Sequence, residues 1–187
     1  MLHTLHKIKA IYPLEEVHLT MLVNQLKRIQ FPKSHLIIQA GKLEPALYFI
    51  EQGIARAYLD DPDHRITFWF GMEGDIILSY NSYINGSPGY ENIELLEQSI
   101  VYELNTSVLQ QLYLQHPALA NWGRKLAEIE LIRTEERYIA SLFKTAKQRY
   151  SELLALYPSL LQRVPLGHIA SYLGVSQVTL SRIRAER

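Results

Sequence analysis

Leu166–Arg187 reads LGHIASYLGVSQVTLSRIRAER, and its polar side chains fall at spacings that could engage a DNA duplex. Gln177, Thr179, Ser181, Arg182 and Arg184 are available on the outer side of a helix whose inner side carries Leu180 and Ile183. Amide, hydroxyl and guanidinium groups in that pattern suit base edges and phosphates in a major groove. The positioning elements lie in the same stretch. Ile169, Ala170 and Leu173 mark one helix, Gly174 a sharp turn, and Val175 and Ser176 the entry to a second. Ala170 is small where two helices cross, Gly174 can take the left-handed backbone, and Ser176 is a good N-cap. A plain helical hairpin with a polar face would share one or two of these features. The full set in order predicts a helix-turn-helix.

Other chemistry is thinly represented. His3 and His6 have a helical spacing compatible with metal binding, but no further ligands lie near them. His35, His64 and His116 stand singly, and His168 is expected to face solvent. A β-barrel enzyme of the cupin type would need H-x-H with a downstream Glu, which is missing, as are a nucleophile–base pattern and a phosphate-binding glycine loop. No catalysis, metal or cofactor is therefore expected. Tyr58, Trp69, Tyr80, Tyr83 and Tyr90 form an aromatic set that could line a pocket for an uncharged effector. They could equally be core, with hydroxyls satisfied locally.

Upstream, the chain divides into three textures. Leu14, Val17, Met21, Leu22 and Leu26 predict one amphipathic helix within residues 1–27. From Phe31 to Leu104, short β-type runs (HLIIQ, LYFIEQGIARAYL, RITFWF, DIIL, IELLEQSIVYEL) alternate with turns at Gly41, Gly53, 60–63, Gly71, Gly74 and 85–89. That texture predicts an antiparallel barrel or roll. A short helix over 107–117 precedes a long one over 118–143, in which Leu119, Trp122, Leu126, Ile129 and Ile132 follow a coiled-coil-like spacing. The stripe could pack on the roll, but pairing with a second copy is the sharper expectation. Thr145 and Gln148 predict a capping box, hence a hinge before the next helix, which ends at Tyr157-Pro158; Pro165 opens the one after.

Composition bounds the class. The 187 residues include no cysteine and no membrane-length apolar run, and the first residues lack the apolar core of a signal peptide, so a cytoplasmic protein is expected. Net charge is zero, yet residues 1–123 hold 8 basic against 13 acidic residues, −5, and residues 124–187 hold 11 against 6, +5. An acidic body with a basic tail is the asymmetry expected when one end approaches phosphates.

This order of helix, β-roll, long helix, hinge and terminal helix-turn-helix resembles the Crp/Fnr family of transcription regulators. IASYLGVSQVTLSRIR carries the resemblance most strongly, and RY…LL…P…RVP before it is similar to the short members common in Bacteroidetes. The resemblance implies an α+β chain: residues 1–117 an antiparallel, cyclic-nucleotide-binding-like β-roll (a double-stranded β-helix), 118–144 a dimerisation helix and hinge, 145–187 the DNA-binding domain. It implies base reading at Gln177, Val178 and Arg182, with Arg182 suited to guanine and Gln177 to adenine. Val178 is apolar where the best-known relative has an acid, so a different operator is expected. Ser176, Thr179 and Arg184 would contact phosphates. A chain stopping at Arg187 is expected to lack the β-hairpin wing of longer members.

The family's nucleotide binders hold the cyclic phosphate with a Gly-Glu pair and an Arg-Ser or Arg-Thr pair. Here those places read Leu78-Ser79 and Pro88-Gly89-Tyr90-Glu91, and no Lys or Arg occurs between Ile66 and Gly123. A phosphodiester without a cation would bear several kcal/mol of desolvation, so binding of cyclic AMP in the usual way is not expected. The expected partners are double-stranded DNA and a second copy of the chain, with RNA polymerase a further candidate and no membrane; the effector is not identified.

Overall fold

The computed structural model describes residues 1–62 and 65–186; the expected turn at 60–63 lies partly outside these residues, as does His64. Two helices open the chain, α1 (Leu2–Ile11) and α2 (Glu16–Val23), where one was expected. Pro13 lies between them, and Tyr12 is already extended. Strand β1 (Lys27–Phe31) begins inside the stretch assigned to the helix. Its exposed, alternating residues gave no apolar run to read, and it pairs through its backbone with β8.

The roll contains β1, β2 (Leu36–Ile38), β3 (Ala46–Gln52), β4 (Ala55–Asp60), β5 (Arg65–Gly71), β6 (Ile76–Ile77), β7 (Asn92–Leu95) and β8 (Ser99–Asn105). They form two antiparallel sheets, ordered β1-β8-β3-β6 and β2-β7-β4-β5. The run read as IELLEQSIVYEL thus splits, one strand in each sheet. A helix not anticipated, α3 (Tyr80–Asn85), interrupts the second half of the roll. It ends at Gly86 in the left-handed conformation, so this glycine caps a helix rather than turning a hairpin.

Strand β3 shows how the core is built. Ile50 and Tyr48 point into the space between the sheets, with Ile38, Ile93, Leu95 and Val101. The alternate residues Leu47 and Phe49 point out of the roll and pack under helices. Those helices are α1, α2, α4 (Thr106–Gln115) and the first part of α5 (Pro117–Phe143). Asn105 caps α4 by accepting from the Ser107 and Val108 amides, and Pro117 opens α5 where a proline lacks nothing. Gly123 lets the Tyr113 ring lie directly on α5: a Cβ there would stand 2.3 Å from the tyrosine oxygen.

The expected seam on α5 requires correction. Leu119 and Trp122 are fully buried and Leu126 is 4% exposed, all within the chain's own core. Trp122 Nε1 donates to the Ile8 carbonyl at 3.0 Å, and Ile129 packs at the edge of the same cluster. Only Ile132 of the expected seam is exposed. Farther along, Leu131, Tyr138, Ile139, Leu142 and Phe143 are exposed too, Phe143 at 81%.

The remainder is helical: α6 (Ala146–Leu156), α7 (Leu160–Arg163), α8 (Leu166–Tyr172) and α9 (Gln177–Ala185). The capping box is formed, Thr145 Oγ1 accepting from the Gln148 amide and the Gln148 side chain accepting from the Thr145 amide. Residues Tyr150, Leu153, Leu160, Val164, Ile169, Leu173 and Leu180 make a third core, completed by Ile54, Phe70 and Leu96 of the roll.

Candidate nucleic-acid interface and sensor pocket

The turn between α8 and α9 is built by local bonds. Gly174 adopts φ +65, and the Val175 amide returns to the Ala170 carbonyl at 3.0 Å. Ser176 Oγ accepts from the Thr179 amide at 3.1 Å, capping α9. Arg149 of α6 braces the turn by donating to the Leu173 carbonyl at 2.8 Å, a contact with no sequence signal. Leu180 is fully buried and Ile183 half-buried, which turns Ser176, Gln177, Thr179, Ser181, Arg182 and Arg184 to solvent; Val178 is 62% exposed. Among the described residues no carboxylate pairs with Arg182 or Arg184, whereas Glu186 pairs with Lys147 at 2.9 Å.

His168 and Ser171 of α8 face the roll, against the expectation of a solvent-facing histidine. Ser171 Oγ accepts from the Thr67 amide at 2.9 Å and donates to the Arg65 carbonyl at 2.7 Å. β5 is an edge strand, so one hydroxyl satisfies two of its otherwise open backbone groups. His168 Nε2 lies 3.4 Å from Arg56 Nη1. Arg56 is itself buried, donating to Thr67 Oγ1 and Glu94 Oε1 at 2.8 Å each. Burial, then the Arg56 charge, hold the His168 pKa below its ordinary value, against the opposing pull of Glu94. Arg163 of α7 reaches Glu73 at 2.6 Å and Glu97 at 2.5 Å. Burial opposes ionisation of Glu73, but donation from Arg163 and the Gly53 amide overcomes it and holds its pKa below the usual carboxylate range.

Of the aromatic set, the structure brings Trp69, Tyr80 and Tyr90 together around a cavity of about 80 Å³ between the roll and α5. The Trp69 ring lies on Gly71, where a Cβ would stand 2.1 Å from it. Tyr58 is not in that wall: its ring stacks with the Arg56 and Arg65 guanidinium groups, at 4.6 and 4.9 Å. Tyr83 is also elsewhere, its hydroxyl bonded to Tyr113 at 3.2 Å in the first core. Glu91 lines it too, as its place at the family's phosphate position implied, whereas Glu130 and Arg137 were missed as wall residues. Glu130 and Arg137 arrive from α5, far away in sequence, so the expectation of a wall without cations is corrected. Arg133, one turn before Arg137, lies 3.7 Å from Asp75, the residue after the turn glycine Gly74. Burial, then the Glu130 charge, push the Tyr80 pKa up.

Residues 28–116 match the family model described as the cyclic nucleotide-binding domain. Comparison with the curated proteins finds no match. Among solved structures, FixK2 from Bradyrhizobium japonicum is 19% identical, covers 86% of this chain and 83% of its own, and has a TM-score of 0.70. The Thermus thermophilus catabolite activator protein is 18% identical over 96% of this chain and 85% of its own, with a TM-score of 0.61. A regulatory subunit of a cAMP-independent protein kinase A from Trypanosoma brucei is 18% identical over 75% and 50%, with a TM-score of 0.60. The roll and its flanking helices therefore have the fold of the cyclic nucleotide-binding domain, which these three structures share. Among the described residues no helix is long and apolar enough to cross a membrane.

Proposed function

We propose that the chain is a DNA-binding transcription regulator of the Crp/Fnr type, acting as a homodimer on a palindromic operator. The roll (1–117) senses, the second half of α5 pairs with a second copy, and the α8–α9 pair is the helix-turn-helix reader within 145–187. The observation that carries this reading is the outward set on α9: Gln177, Val178, Thr179, Ser181, Arg182 and Arg184 are exposed over a buried Leu180. Ser176 stands at the helix start, suited to a phosphate. The FixK2 and Thermus likenesses extend over 86% and 96% of the chain, beyond the roll, which supports a shared overall plan.

Selection of bound genomic fragments followed by fluorescence anisotropy tests the reading. Arg182→Ala should weaken specific binding by about 1–3 kcal/mol and relax preference at one base pair of each half-site. Phe143→Glu with Leu142→Glu should convert a dimer to a monomer in sedimentation while the circular dichroism stays unchanged. A monomeric wild type would remove the dimer.

One observation favours a second reading, a sensing or interaction module in which α8 and α9 only buttress the roll: α8 is bonded to the edge strand β5 through Ser171 and lies against Arg56 through His168. Under it the wild-type chain would shift no DNA. Titration calorimetry with cyclic AMP and cyclic GMP tests the sensor half, and no heat is expected, given a buried Glu91 where the phosphate of those ligands would need a cation.

A further inference from the structure

The cavity between roll and α5 is lined by Glu91, and in Glu91 and the neighbouring Ser79 one oxygen each has no bond that accounts for it. Glu91 is 5% exposed, and its Oε1 has no partner; Oε2 accepts from the Tyr90 amide at 3.1 Å. Ser79 is fully buried, and its Oγ has no partner either. Both surround Gly89. A Cβ built there would stand 2.4 Å from Ser79 Oγ and 3.0 Å from Glu91 Oε1, so only glycine lets the two unpartnered oxygens close on this backbone. A buried carboxyl oxygen left without a donor is destabilising, and such groups are uncommon unless something else meets them.

The walls favour one kind of guest. Trp69, Tyr80 and Tyr90 present aromatic rings, which attract a cation through their faces. A carboxyl group inside an aromatic wall is the surrounding that an ammonium group needs once it leaves water, and it repels a phosphate. We infer that the cavity between the roll and α5 binds a small ligand through a cationic amino group, received by Glu91, with Ser79 behind it, within the ring of Trp69, Tyr80 and Tyr90. This rests on reading the roll as a sensor, and it inverts the charge of the ligand that the fold's name implies.

Size limits the ligand. About 80 Å³ is roughly half of the ~150 Å³ cavity that admits benzene, so the inner space takes a head group and not a whole molecule. The body then lies toward Tyr80 and Tyr90, which are 42% and 67% exposed. Arg137 of α5 also lines the cavity and, among the described residues, bonds only the Thr134 hydroxyl, at 2.9 Å. A carboxylate on the ligand would find its partner there, so an amine and an amino acid are distinguished by this one residue. The Arg137 charge also favours ionisation of Tyr157 and Tyr172 in the C-terminal helices, which sets this wall of the cavity near the junction with the reader.

Three probes on one carbon skeleton separate the possibilities: isoamylamine, leucine and 4-methylpentanoate, measured with the full chain by calorimetry and by shift of Tm. Saturable binding of the amine or the amino acid, but not of the acid, is expected. Glu91→Gln should weaken that binding about ten- to a hundredfold, the worth of a charge-assisted bond, and Ser79→Ala less. Leucine binding more tightly than the amine, with the difference lost in Arg137→Gln, assigns the ligand to the amino acids; the reverse order assigns it to simple amines. Binding of the acid alone, binding by none of the three, or unchanged binding in Glu91→Gln overturns the proposal. Anisotropy with operator DNA, run in parallel, fails independently: amine binding without any DNA binding leaves this site standing and removes the regulator.

Discussion

The roll holds two helical attachments, and it holds them differently. Under α1, α4 and the first part of α5 the contact is mainly apolar: Leu47, Phe49 and Leu104 of the roll meet Ile8, Leu109, Leu119 and Trp122, with Glu51 bonded to Thr4 and the N-terminal amine, and Asp75 paired with Lys7, at the border. The C-terminal helices attach through a smaller apolar patch, Ile54, Phe70 and Leu96, bordered by groups that are charged or hydrogen-bonding. Arg163 bridges Glu73 and Glu97, Ser171 serves the edge of β5, and His168 lies against Arg56. Apolar burial cannot be switched by a proton and finds no equal partner in water. Ionic and hydroxyl contacts are exchanged for water at little net change, about 0.5–1.5 kcal/mol for an ordinary hydrogen bond. The first attachment, with the larger apolar contact, is expected to persist, and the second to open first.

The largest effect should therefore fall on the apolar side. Trp122→Ala removes a fully buried indole and leaves the Ile8 carbonyl without its donor, so a loss of about 3–5 kcal/mol in global stability is expected from urea unfolding. If Trp122 instead belonged to a seam between copies, the variant would dissociate a dimer and keep its monomer stability. A smaller and more local effect is expected at the second attachment. Arg163→Ala leaves Glu73 and Glu97 facing each other without their cation, and should weaken docking by about 1–3 kcal/mol. Hydrogen exchange would then speed up across α6–α9 and stay unchanged in β3 and β8. Equal acceleration in both regions would erase the distinction between the attachments.

The first attachment was only half legible in the sequence. The spacing of Leu119, Trp122 and Leu126 marks an apolar stripe, but a stripe does not say whether it meets the chain's own roll or another copy. The strand runs were readable because β-branched and aromatic residues lay between glycine turns. β1 was not, since an exposed edge strand needs only backbone pairing. In the candidate interface, Gly174 and Ser176 announce the turn and the cap because each answers a backbone requirement. Ser171, His168, Arg149 and Arg137 announce nothing, because their partners lie more than twenty residues away in sequence, or in the cavity that the fold creates. Glu91 lies between: the resemblance put it beside the phosphate site, but its burial with one oxygen unpartnered is visible only in the fold.

The finest test of the comparison is a proton. Arg56 can only donate, so the 3.4 Å contact with His168 requires Nε2 to be the bare, accepting nitrogen. Protonation would set two donors face to face, with Arg65 adding repulsion and Glu94 alone favouring the charged form. The docked state thus takes up the proton less readily than a free imidazole. Its contribution is complete above the ordinary histidine pKa and declines as pH falls from there to the lowered pKa of the docked imidazole. Exchange of the α8 amides should rise modestly over that window while the amides of α5 near Trp122 do not respond. His168→Gln, which keeps a neutral polar side chain, should flatten the response. Persistence of the same slope in that variant would move the pH sensitivity to another group and leave the histidine contact without a switching role.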